Sequence, residues 1–120
     1  MCALPDRDPL ASPPVVDAVS VEIGEIHARG HGRRPSATKT VWNEDVVVCV
    51  LEGVLTDAER DLVDGGRFEW MRAERLARHE PLAPSFRATI EELTGRRVRA
   101  YMTEVGPEDV AFEVFILAGD

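Results

Sequence analysis

ATKTVWNEDVVVCVLE, residues 37–52, is the stretch that decides the fold class. β-Branched residues fill two short runs, 37–42 and 45–52, and the turn formers Asn43 and Glu44 stand between them, so the stretch predicts a hairpin. The second run, Val46 to Leu51, is apolar on both faces. Such a strand belongs in the centre of a sheet, or is covered on its second side by a partner. It is also the longest apolar stretch of the chain, far short of the roughly 18 residues that a membrane span needs, so direct membrane insertion is not expected.

A second hairpin is expected at the other end. Val98, Ala100 and Met102 alternate with Arg97, Arg99, Tyr101 and Thr103, and after a Gly106-Pro107 loop Val110 to Leu117 reads as the last strand. Before the first hairpin, Ser12-Pro13 reads as a helix start, and Val15, Val16, Val19, Ile23 and Ile26 form one apolar arc. Gly30 is suited to a left-handed C-cap, and Pro35 prevents continuation.

Between the hairpins, Thr56-Asp57-Ala58-Glu59 matches a capping box, in which the Thr hydroxyl accepts from the third amide while the Glu reaches back. Ala58, Leu62 and Val63 give that helix an inner side, and Gly65-Gly66 ends it. Residues 67–79 are helical in composition, with Trp70, Ala73 and Ala77 on one side and Arg72, Arg75 and His79 on the other. Pro81 and Pro84 stop or kink this helix. A further helix from about Pro84 buries Phe86, Ile90 and Leu93 and is capped by Gly95. The sum is an α+β two-layer sandwich: a four-stranded, mostly antiparallel sheet with helices on one face, in the order α-β-β-α-α(-α)-β-β. Residues 1–12 are expected as a disordered arm and 13–120 as a single domain.

The 120 residues carry 14 Lys+Arg against 22 Asp+Glu, a net charge of -8 that repels phosphate and argues against nucleic-acid partners. Cys2 and Cys49 make no disulfide framework, which points to a reducing, cytoplasmic setting.

Several constellations could carry chemistry. His27 and His31 are four apart, but Gly30 between them is expected to end the helix first and His79 is distant in sequence, so no metal site is assigned. The Arg29–Arg34 loop follows a helix instead of opening one and lacks a phosphate-loop pattern, so it reads as a cap with solvated arginines. Cys49 among valines reads as a small core residue, not a nucleophile. No catalytic constellation and no cofactor motif emerge. The feature that stands out is a basic-aromatic helix face of Arg67, Phe68, Met71, Arg72, Arg75 and His79, suited to an acidic partner segment or a small anion held by guanidinium forks.

Leu55-Thr56-x-Ala58-Glu59-x-x-Leu62-Val63-x-x-Gly66, then Arg72 and Arg75, then Glu91-Glu92-Leu93-Thr94-Gly95-Arg96-x-Val98 and Asp109 to Leu117, resemble the MpsC family, as does the loop Gly30 to Pro35. The resemblance covers nearly the whole domain. It implies a small soluble bacterial protein associated with a cation-translocating, membrane-potential-generating system, alongside a polytopic membrane ion-transport subunit and a large cytosolic companion. It implies no catalytic residue. The expected role is therefore a non-enzymatic accessory or regulatory subunit, cytoplasmic or peripheral to the membrane through a protein partner. The other reading is a small-anion or small-ligand-binding domain, enzymatic or not, acting as a free-standing homodimer. A homodimer is expected either way, because Phe112, Phe115 and Leu117 add to an already apolar sheet.

Overall fold

The computed structural model describes residues 13–119; the arm expected over residues 1–12 lies outside the described residues. Helix α1 spans Pro13–His31, strand β1 Ala37–Asn43, β2 Val46–Glu52, α2 Asp57–Asp64, α3 Phe68–His79, α4 Ala83–Thr94, β3 Val98–Gly106 and β4 Val110–Leu117. The strands form one antiparallel sheet in the order β1-β2-β4-β3, so the twice-apolar β2 is central, as its composition demands. The architecture is the α+β sandwich expected from the sequence.

Alternation sorts the central strands. Val47, Cys49 and Leu51 of β2 and Ala111, Glu113, Phe115 and Leu117 of β4 are buried under the helices, together with Val19, Ile23 and Ile26 of α1 and Phe86 and Ile90 of α4. Of the three β4 residues expected to drive association, Phe115 and Leu117 thus belong to the core. Phe112 alone lies on the open face, since period-two geometry sends it opposite to both.

Four local expectations need correction. The first hairpin turns at Glu44-Asp45, one residue later than the β-branched runs suggest, because Asn43 pairs with Val46 and Glu44 takes the left-handed conformation (φ 54°). In β3 a bulge lies between Val98 and Ala100, and one extra residue flips the phase of the rest of the strand. Tyr101, Thr103 and Val105 therefore face the helices while Met102 is 54% exposed on the other side.

Helix α1 runs through Gly30 to His31, and the left-handed residue is Gly32 (φ 73°). Gly30 serves close approach instead: a Cβ there would stand 2.3 Å from Leu82 Cδ1. On α2, Glu59 is buried where Ala58 was expected to be. The capping box itself forms with both bonds, Glu59 N to Thr56 Oγ1 at 3.1 Å and Thr56 N to Glu59 Oε1 at 2.9 Å. Pro81 interrupts the helical run as expected: a 3-10 turn at Glu80–Leu82 separates α3 from α4, Pro84 lies in the first turn of α4, and Gly95 caps it in the left-handed region.

Candidate functional site

Helix α3 is rotated relative to the sequence reading. Trp70 is 50% exposed with the Arg67 guanidinium 5.2 Å over its ring, whereas Met71, Arg75 and His79 are buried, with Phe68 packed beside them. Spacings of three and four carry this stripe along the inner side of the helix. The six residues of the candidate basic face are thereby divided. Arg67 stays outside; Arg72 reaches Glu104 on β3 through a two-pronged ion pair (2.7 and 2.6 Å); Met71, Arg75 and His79 enter the interior.

What they meet there is a buried polar chain. Because α1 continues to His31, His27 and His31 lie one turn apart on a single face, and α3 brings His79 to them, with ring centroids of His31 and His79 at 5.0 Å. Arg75 Nη2 donates to His27 Nε2 at 2.6 Å, and His27 Nδ1 lies 3.2 Å from the Arg33 carbonyl. A guanidinium only donates, so Nε2 accepts, Nδ1 carries the hydrogen and His27 is neutral. Burial first, and Arg75 second, hold its pKa down at about 4.

The charge of Arg75 is met by Glu59, whose Oε1 accepts from Nη1 at 2.8 Å while its Oε2 accepts from Arg78 at 2.7 Å. The glutamate that closes the α2 capping box is thus also the counter-ion of a buried arginine.

The other end of the chain runs to the sheet. Tyr101 donates to Glu113 Oε1, and the same oxygen lies 3.1 Å from His79 Nε2. His79 Nε2 therefore carries a hydrogen, and His79 Nδ1 lies in hydrogen-bond contact with His31 Nε2 at 2.8 Å. Burial pushes the His31 pKa down to about 2, and burial together with the Glu113 carboxylate pushes the Tyr101 phenol up. Among the described residues, two buried polar atoms in this chain, His31 Nδ1 and Glu113 Oε2, have no partner. Phe86 flanks His79 and Phe115 flanks Tyr101, with centroids at 5.1 and 5.0 Å.

Two spaces adjoin the chain. A partly open cavity of about 10 Å³, the size of one water, is lined by His27, Arg75, His79, Thr103 and Glu113 among others. An open groove of about 440 Å³ lies between the end of α3, the start of α4 and β3, with His79, Tyr101 and Thr103 on its floor.

This arrangement fixes three histidine rings through hydrogen bonds to Arg75, to one another and to Glu113. It offers no activated thiol: Cys49 is buried mid-strand, and burial raises its pKa to about 12. Among the described residues no group of three or more His, Cys, Asp or Glu side chains is placed to hold a metal ion, and no helix is long and apolar enough to cross a membrane. Sequence reasoning weighed His27 and His31 only as a metal pair, which it declined, and missed Glu59, Tyr101 and Glu113 as members of a buried polar chain. The available signal was the one-turn spacing of the two α1 histidines, obscured by the glycine between them.

Compared with known families, residues 15–119 match the family model described as the Na+-translocating membrane potential-generating system (MpsC). The chain belongs to the MpsC family. No curated protein and no solved structure matches it.

Proposed function

We propose that the protein is a non-enzymatic accessory subunit of a cation-translocating, membrane-potential-generating system, working beside the membrane as a homodimer. Membership in a family described by such a system supports the first part. The observation that carries the second is the bare face of the sheet, which the helices leave uncovered: Val41 is 56% exposed, Met102 54%, Phe112 39% and Val46 38%, with half-buried Val48, Val114 and Ile116 between them. All four strands contribute to this apolar surface, which suits packing against a second copy of itself.

The alternative of an arginine-held anion has less to rest on. Arg72, Arg75 and Arg78 on α3 each already hold a carboxylate of this chain. The reading is tested by affinity capture of the tagged protein from its own host in mild detergent, against a tag-only control. Enrichment of a polytopic ion-transport subunit with a large cytosolic companion is the expected result; recovery of nothing but further copies of the chain would overturn the accessory role.

A further inference from the structure

From the groove beside β3 we infer that this subunit binds an extended, lysine-bearing segment of a partner protein, which adds to the sheet as a fifth strand. The inference deepens the accessory-subunit reading and rests on it for the existence of a partner.

β3 is an edge strand, and the amides of one phase along it point away from β4: Val98 N bonds Glu91 Oε2 at 2.9 Å and Val105 N bonds Glu104 Oε1 at 3.0 Å. Both ends of the edge are thus closed by a carboxylate, and Arg72 crosses to Glu104 at one of them. Blunting of this kind protects an edge from indiscriminate pairing. Tyr101 and Thr103 share that phase, and among the described residues no side chain takes their amides. The edge is open for about three residues, a window for the strand-addition mode of peptide recognition.

The groove lies against this window. Its walls are Leu76, Ala77 and Ala83, and its floor is His79 with the inward side of β3, Tyr101 and Thr103. A strand paired to β3 would send its inward side chains here, because alternate residues of neighbouring strands share a face. Apolar walls accept an alkyl stem.

The polar lining selects a cation. The Tyr101 hydroxyl is engaged within the chain, donating to Glu113 and facing His79 Nε2 at 3.0 Å, and the exposed Glu80 carboxylate in the lining is the acceptor left for a cation. The nearby Arg72, Arg75 and Arg78 are held by Glu104 and Glu59. A lysine suits such a site, its stem against the walls and its ammonium on the Glu80 carboxylate. The net charge of -8 favours a basic segment from a distance as well.

The test is selection from a displayed library of random ten-residue peptides against the full chain, with amide-resolved NMR titration of the winners. Enriched peptides should carry a lysine flanked by β-formers and should shift the Tyr101 and Thr103 amides. Ala77→Arg, at an exposed position, fills the groove with opposing charge and should weaken binding at least tenfold; Phe112→Glu on the opposite face should not. Free butylamine should bind at least a hundredfold more weakly than the peptide. No enrichment, winners without a basic residue, winners indifferent to Ala77→Arg, or butylamine binding as tightly as the peptide would each overturn the proposal. Failure here beside successful capture from the host would remove the groove and leave the accessory role; successful selection beside failed capture would do the reverse.

Discussion

Arg75 Nη2 and His27 Nε2 lie 2.6 Å apart in a fully buried setting, which makes a histidine the acceptor for an arginine. The pair ties α3 to α1 and passes the arginine's charge on to Glu59 at the start of α2. Protonating His27 would set two cations against each other.

Stability should therefore depend on pH. The His27 pKa is held down at about 4, below the ordinary value of 6.5, so between those values the unfolded chain binds more protons than the folded one. The contribution is fully present above about pH 6.5 and is lost as pH falls toward about 4; a gap of that size corresponds to about 3 kcal/mol at most. Urea unfolding at pH 7.5 and pH 5 should show a lower midpoint at pH 5, and His27→Gln, which keeps an acceptor but does not titrate, should reduce the difference. An equal difference in the variant would assign the pH effect to other groups.

Glu59→Ala should be among the most damaging changes on α2. It removes the counter-ion of a buried arginine and one arm of the capping box together, with an expected loss of about 3–5 kcal/mol. Replacing both partners, Glu59→Gln with Arg75→Met, should cost less than the sum of the single changes. Additive losses in chemical denaturation would show that the two residues are not coupled.

The two glycines at the end of α1 should separate by mechanism. Gly30→Ala drives a methyl into Leu82 and should cost about 1–3 kcal/mol, while Gly32→Ala meets open space but carries a positive φ and should cost about 1 kcal/mol. If Gly30→Ala is neutral in thermal unfolding, the contact between α1 and the 3-10 turn is looser than described.

Much of the fold was legible because it rests on local chemistry. The β-branched runs of β2 and β4, the Thr56–Glu59 capping box, the Pro81 break and the Gly95 cap are read from a few neighbouring residues each. What failed depended on distance. The bulge that flips Met102 outward is fixed by pairing with β4, and the rotation of α3 is fixed by Glu59, His27 and Glu113, 16 to 48 residues away in the chain. A charged stripe on a helix reads as solvated until its partners are seen to be buried with it. The same long-range pairing made the histidine chain invisible: His79 lies 48 residues from His31 and bonds it at 2.8 Å.

Phe112→Glu should convert a dimer to a monomer without loss of the fold, since Phe112 is on the bare face of the sheet and makes no part of the core. Light scattering at tens of micromolar should report twice the chain mass for the unaltered protein and the chain mass for the variant. A monomeric unaltered protein would defeat the dimer.

The most direct test of the accessory-subunit account is quantitative capture from the native host with the unaltered protein and the Phe112→Glu and Ala77→Arg variants side by side. The account predicts that the unaltered protein enriches a polytopic ion-transport subunit at least tenfold over the tag-only control, and that Ala77→Arg loses it while keeping its own dimer. Equal recovery of that subunit with the control and with all three proteins would contradict the account.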